Sequence, residues 1–530
     1  MKKNIFKIVI TAGFLAGSFA SCTKKLDLLP TNDVTAAQVY NTPAGYKQAF
    51  AKVYGSFALT GNQGPAGNAD LVVADEGNYL DFLRTFWYLQ ELPTDEAVLS
   101  WGDAGLPDFH NCNWSSSNPA ITGLYYRAYY QITLCNDFIN QSSDANLVSR
   151  GITGTDADAI KLYRTEARFL RALQYWVIMD IYGSGPFITE KDIIGSGLPS
   201  QASRLDIFKY VETELKAIEP ILVAPKANEY GRADQATVWS LLARIYLNAQ
   251  VYTGTARWTD ALTYSKKVID AGYSLVPKYS QLMLSDNNLN KNEFIFTINY
   301  DGLKTQGYGG TTFLTHAPIG GTMSPSDFGI KGGWVGLRTT KNLPALFPDV
   351  TGTLDSRSQF YTSGQNLEIS DLTKFTDGYA VTKFKNVDRA GVAGQSLEFS
   401  DVDFPLFRLP EQYLIYAEAT LRGATGADAT LALTYINNLR TRAYGNTAGN
   451  IASGQLTTDF ILDERARELY WEGFRRTDLI RYNKFVESTY LWPWKGGVKS
   501  GTAIDAYRKV YPIPSADISS NVKLVQNPGY

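Results

Sequence analysis

Apolar residues recur at three- and four-residue intervals along much of this 530-residue chain, the spacing that gives a helix one face able to pack on a core. Pro43 to Phe57 predicts a first helix, with Tyr46, Phe50, Val53 and Tyr54 on one stripe. Gly123 to Gln141 and Ala157 to Tyr182 predict two long ones. In the second, Leu162, Ala167, Leu170, Leu173, Tyr175, Trp176 and Ile178 mark the apolar side, and Gly183-Ser184-Gly185-Pro186 stops it. Leu205–Ile218 pairs with Ala233–Tyr252, whose face is Trp239, Leu242, Ala243, Tyr246 and Leu247. Trp258–Ala271, Pro410–Arg422 and Ala429–Ala443 continue the theme. Ile461 to Phe485 predicts one further helix, with Leu462, Ala466, Leu469 and Gly473 inward. Glu464, Arg465, Arg467, Glu468, Glu472, Arg475 and Arg476 then fall outward, with Arg465–Glu468 and Glu472–Arg476 at pairing distance.

Helix pairs with Ala at close-packing positions resemble tetratricopeptide units, though their spacing is irregular. The expected fold is mainly α: a tetratricopeptide-like helical-repeat scaffold, about 36–57, 123–272 and 408–485, with a loop-rich lobe containing a few short strands. That lobe falls at about 60–119 and 273–405, where Gly and Pro are frequent and Glu293–Asn299 (EFIFTIN) reads as a strand. Loops on a rigid scaffold commonly carry binding.

The N-terminus is a processing segment. Lys2 and Lys3 precede an apolar stretch from Ile5 to Ala20, and Phe19-Ala20-Ser21-Cys22 resembles a bacterial lipobox, in which Cys22 becomes the acylated first residue. The alternative is an ordinary secretory signal. Residues 1–21 are then a signal peptide, 22–35 a lipid-anchored tether and 36–530 the body. Several acyl chains on one residue anchor stably. Removing 1–21 takes away Lys2, Lys3 and Lys7 and no acid, moving the formal charge from −2 to about −5. That balance argues against nucleic acid, which needs a basic face.

Chemistry is sparse. Two histidines, His110 and His316, leave little for zinc or a histidine triad, and there is neither a GxxxxGK loop nor a GxGxxG after a strand. No metal or cofactor is expected. Cys112 and Cys135 are one possible disulfide. Three aromatics lie in Gly-flanked loops: Trp101 in SWGDAG, Tyr308 in QGYGGTT and Trp334 in KGGWVG. Glycine leaves an adjacent ring uncovered and lets a ligand approach, and a pyranose stacks its C–H face on such planes. Trp492 and Trp494 are the rivals, expected to be packing residues.

A lipobox cysteine followed by LDLLP, then RTEARFLRALQYW, GRADQATVWSLLARIYLNA, ERARELYWEGFRRTDLIR and the ending YPIPSADISSNVKLVQNPGY resemble the SusD/RagB family of outer-membrane lipoproteins. DEG at Asp75–Gly77, ELPTDE at Glu91–Glu96, KTQGYGGTT at Lys304–Thr312 and YLWPWKGG at Tyr490–Gly497 are similar to its founding starch-binding branch. The resemblance spans the mature chain. It implies a non-catalytic binder of starch or maltooligosaccharide (α-glucan) at the cell surface, sitting over a SusC-like TonB-dependent outer-membrane transporter. It also implies an aromatic arc of Trp101, Tyr308 and Trp334, with Arg84 and Asp75 as hydrogen-bonding partners. One extra residue separates Asp75 from Arg84. The branch's asparagine after the first Trp is absent; Ala104 stands there, and either Asp103 beside it substitutes as an acceptor or that contact is lost. Calcium is associated with some relatives, but Asp286–Asn290 is a shorter loop than theirs. Within the family the alternative is a SusD-like protein for a different glycan; a glycoside hydrolase using two carboxylates and a scaffold for protein contacts are the readings from other classes. Ile461–Phe485 is then a structural clamp rather than a catalytic cleft.

Overall fold

The structure is a computed structural model that describes residues 36–61, 65, 70–71, 80–192, 195 and 197–530. Cys22, the tether and Asp75 lie outside the described residues. Helix starts are set by capping side chains, which satisfy backbone donors that the first turn leaves over. Thr42 caps α1 (Pro43–Gly55), Asp81 caps α2 (Phe82–Glu91) and Asn118 caps α3 (Pro119–Gln141). Helix α4 (Gly154–Val177) runs into a π-helical turn, Ile178–Tyr182, that ends at Gly183 with φ 75°. The glycine stop therefore acts where the sequence places it. Ser203 caps α5 (Arg204–Ile218), and Asp234 and Thr237 cap α6 (Gln235–Leu247) reciprocally. Further helices are α7 (Trp258–Asp270), α8 (Gly310–His316), α9 (Leu409–Leu421), α10 (Ala429–Tyr444), α11 (Thr458–Leu469) and α12 (Arg475–Arg481), with shorter ones between them.

The helices stack as a tetratricopeptide-like array: α3 on α4, α4 on α5, α6 on α7, and α9 on both α10 and α11. Helix α7 packs directly on α9, so the two helical blocks, separated in sequence by the loop-rich stretch, form one scaffold. Strands are short. β1 (Val98–Leu99), β2 (Phe294–Ile298), β3 (Leu337–Arg338) and β4 (Phe404–Arg408) form two antiparallel pairs, β1 with β3 and β2 with β4. One core runs from Tyr40 to Leu524; a smaller one of Ile319, Met323, Phe328, Ile330, Phe375 and Ala380 lies under the loop-rich part. Cys112 and Cys135 are separate buried thiols, not a disulfide. Burial pushes them up to about 11 and about 12. Among the described residues no helix is long and apolar enough to cross a membrane.

The stretch Ile461–Phe485 departs from expectation twice. It forms two helices, α11 and α12, joined at a corner where Trp471 (φ 64°) and Gly473 (φ 83°) are left-handed. A side chain at 473 would meet the Phe86 ring at 2.7 Å, so glycine lets this corner seat on α2. The charged residues are not a solvated face either; all seven are buried. The expected neighbours do not pair. Arg465 bonds Asp478 at 2.6 Å, Glu472 takes Arg408 at 2.7 Å and Lys383 at 2.6 Å, and Arg476 donates to the Lys509 carbonyl at 2.6 Å. Glu464 is held by Arg357, Arg440 and Arg467, and Glu468 by Arg408 and Arg442. Burial alone would raise Glu468, but Arg442, Arg408 and Arg357 hold it down at about 2. Charges taken out of water require such partners, supplied here by β4, α10 and the Arg357 loop.

Candidate functional site

Trp101 lies two residues after β1, and Trp334 lies three residues before β3, so pairing the two strands brings both rings together. The ladder continues past the strands: Ser100 donates from its backbone to the Gly336 carbonyl at 3.0 Å and from its hydroxyl to the Val335 carbonyl at 2.9 Å. The Trp101 indole N–H donates to the Trp334 carbonyl at 3.1 Å. Trp334 and Gly336 donate in turn to the carbonyls of His316 and Ala317, which ties this loop to the end of α8. Tyr308 enters α8 from its other end. The result is an arc: Trp101 and Trp334 centroids are 6.3 Å apart at 46°, and Tyr308 and Trp334 are 6.3 Å apart at 60°. All three rings are half-buried.

The flanking glycines act differently from expectation. A Cβ at Gly336 would lie 2.5 Å from the Trp101 indole, and one at Gly309 would lie 2.3 Å from the Asp81 carboxyl. These glycines admit protein against protein, locking the rings in place. Gly102 and Gly332, by contrast, face open space.

Arg84 sits in the first turn of α2, beneath the arc and buried. Its Nη1 donates to the Tyr308 carbonyl at 2.7 Å and its Nε to the Tyr88 hydroxyl at 2.6 Å. The guanidinium lies 4.5 Å from the Phe313 ring centre, 5.6 Å from Trp101 and 5.9 Å from Trp334. It therefore works first as a cationic hub for the rings, a role beyond the hydrogen-bonding one that the resemblance implies. Asp103 is exposed on the turn leaving Trp101, its carbonyl accepting from Leu106 N–H at 3.1 Å. Asp81, at the base, is pushed up to about 7 by burial, against the pull of the N–H groups of Arg84 and Gly310.

Three contributors escaped the sequence reading. Phe313 is the face on which Arg84 rests. His316 is buried, its ring 5.0 Å from Trp334 and tilted 33°, and its Nδ1 lies 2.9 Å from the Thr312 carbonyl. Burial draws its pKa below the usual value, keeping a neutral ring under the tryptophan. Glu398 is the third: the Tyr308 hydroxyl donates to it at 2.7 Å. The Gly-flanked motifs marked rings, whereas these residues lie one helix turn or some ninety residues away, where only the fold joins them. Trp492 is buried against Phe485 and Tyr490, and the Trp494 N–H is taken by the Ile369 carbonyl. Asp286 and Asn290 are engaged by Arg389 at 3.5 and 2.5 Å. An apolar cavity of about 280 Å³ between α1 and β2 shares no lining residue with the arc.

A helical-repeat scaffold presenting an open platform of aromatic rings is thus the class of protein that fold and site define. A family model described as "SusD family" matches residues 349–530. The "Starch-binding protein SusD" of Bacteroides thetaiotaomicron is 34% identical, the alignment covering 100% of this chain and 99% of that protein. "SusD-like protein P2" of Formosa agariphila is 23% identical, covering 87% and 92%. Among solved structures, a SusD superfamily protein from Parabacteroides distasonis matches with TM-score 0.68 and 21% identity, over 94% of this chain and all of that one. Surface glycan-binding protein A from Bacteroides thetaiotaomicron in complex with laminarihexaose matches with TM-score 0.68 and 21% identity, over 91% and 99%. The chain belongs to the SusD family.

Proposed function

We propose that this protein is a non-catalytic, cell-surface glycan-binding lipoprotein that captures starch and maltooligosaccharides. It is acylated at Cys22, held at the outer membrane, and hands its ligand to a TonB-dependent transporter. The observation that carries the reading is the arc itself, present in a chain 34% identical over its full length to a starch-binding protein. Adjacent ring planes turn by 46° and 60°. A flat ribbon, the habit of β-1,4-linked glucan, cannot lie on all three, whereas the curved α-1,4 chain can. Stacking supplies most of the contact, with Asp75, Arg84 and Asp103 as polar partners from the sequence. Single sites of modest affinity suffice, since a polymer offers many copies to an anchored array. The carboxylate that the described contacts place on an arc ring, Glu398, is engaged by a phenol rather than paired across a cleft, which favours binding over hydrolysis.

Affinity electrophoresis in amylopectin tests the reading. Wild type is retarded, and Trp334→Ala is not. Migration of wild type as in plain gel would remove the α-glucan assignment, and shortening of maltoheptaose by the purified protein would remove the non-catalytic one.

A further inference from the structure

Glu398 lies in no motif that pointed to the arc, and its loop is built onto the platform. Ser396 Oγ accepts from the N–H groups of Glu398 and Phe399 at 3.1 and 3.2 Å, bending the chain so that the carboxylate faces Tyr308. Ser400 N–H donates to Thr312 Oγ1 at 3.0 Å, which fixes the loop to α8. Lys331 N–H donates to the Leu397 carbonyl at 2.8 Å, which fixes it to the segment leading into Trp334. Phe399 lies 5.6 Å from Tyr308.

Tyr308 is consequently gripped at both ends, Arg84 holding its carbonyl at 2.7 Å and Glu398 its hydroxyl at 2.7 Å. The hydrogen bond to Glu398 raises the phenol pKa and keeps it a donor. A carboxylate offers about four acceptor positions on two oxygens. Tyr308 uses Oε1 of an exposed side chain, so acceptor capacity remains at the ring edge, where a stacked pyranose carries its hydroxyls.

Resting on the glycan-binding reading, we propose that Glu398 is a positioning and specificity residue: it sets the plane of Tyr308 through the phenol and accepts a hydroxyl from the sugar stacked there. This acceptor stands on the opposite side of the arc from Asp103 in sequence and supplies polar recognition where Ala104 supplies none.

Calorimetry of the mature protein against a panel of maltoheptaose, laminarihexaose and xylohexaose tests it, with thermal unfolding run alongside. Glu398→Ala weakens binding by about tenfold and Glu398→Gln by about threefold or less, because the amide oxygen still accepts from the phenol. Both melt with wild type, the side chain being exposed. In a Tyr308→Phe background Glu398→Ala still weakens binding about threefold, the surviving part being the sugar contact. An unchanged affinity in Glu398→Ala overturns the proposal, as does a Gln variant no better than Ala. Loss of the effect in the Phe background overturns the sugar contact. Binding of laminarihexaose or xylohexaose alone, weakened by Glu398→Ala, removes the α-glucan reading and upholds this one. A wild type that binds nothing in the panel removes both.

Discussion

Trp334 is the residue on which the arc turns, because it meets Trp101, Tyr308, His316 and the Arg84 guanidinium at once. Removing its ring takes away the central stacking plane and also loosens its neighbours. Trp334→Ala therefore loses at least about tenfold in maltoheptaose affinity, the equivalent of about 1.4 kcal/mol, measured by calorimetry. An affinity within twofold of wild type would move the site elsewhere. A subtler test leaves every ring in place. Gly336→Ala sets a methyl 2.5 Å from the Trp101 indole, which must then swing out of the arc. Binding falls while the tryptophan count and charge stay the same. If instead Gly336→Ala binds normally, the orientation of Trp101 does not matter to the ligand. The rings were legible in sequence because Gly-flanked aromatics in loops are unusual. Phe313, His316 and Glu398 were not, since nothing local distinguishes them from packing or surface residues until α8 and the 395–400 loop meet.

At the scale of elements, α2 joins the two halves of the molecule. Its first turn carries Arg84, and its last residue, Glu91, accepts from the N–H groups of Gly473 and Phe474 at 2.6 and 3.1 Å. The apolar pattern of α2 spans only ten residues, and polar and apolar side chains alike are buried, so no solvent stripe marked it as a helix. The same failure, on a larger scale, hid the nature of 461–485. Its charges repeat at helical spacing, yet apart from Glu464–Arg467 and Arg465–Asp478 the partners of its carboxylates come mainly from β4, α10 and the Arg357 loop, distant in sequence. Periodicity reported helical residues here, ran two helices together as one and misreported which faces were wet. Glu472→Ala strips one carboxylate from Arg408 and Lys383 and leaves two buried cations short of charge. A loss of about 3–5 kcal/mol in unfolding free energy is expected, read from urea denaturation, with the glycan affinity of the folded fraction unchanged. Weakened binding at full stability would instead make the corner part of the site.

For the whole molecule, burial of so many ionisable groups makes stability depend on pH, and the two limbs have opposite signs. Arg481 and its neighbours hold Glu418 at about 2 against the opposing effect of burial, and Glu468 is similar. Carboxyls depressed in the fold add stability above their ordinary 4.5, and that stability is lost as pH falls through about 2. Asp81 and Asp403 run the other way, since burial lifts both from 3.8 to about 7. Their folded forms favour the proton, so stability declines as pH rises from 3.8 through about 7, at up to about 1.4 kcal/mol per pH unit for each group. Burial also draws His110 down from 6.5 to about 4, and its contribution rises across that interval and partly offsets the decline. The carboxyl part is isolated by Asp403→Asn: its one amide oxygen still accepts from the Tyr300 N–H, now at 2.8 Å, and its NH2 faces the Tyr230 hydroxyl, now at 2.9 Å, whose oxygen accepts in turn. The difference in melting temperature between this variant and wild type should grow in the variant's favour from pH 4 to pH 7 and stay flat below pH 3. Parallel profiles across pH 4–7 would show that Asp403 titrates as an ordinary carboxyl and that its burial is relieved by water. A growing gap would place a protonated aspartic acid immediately before β4, bonded to the N–H of Tyr300, whose ring packs where Gly310 opens α8.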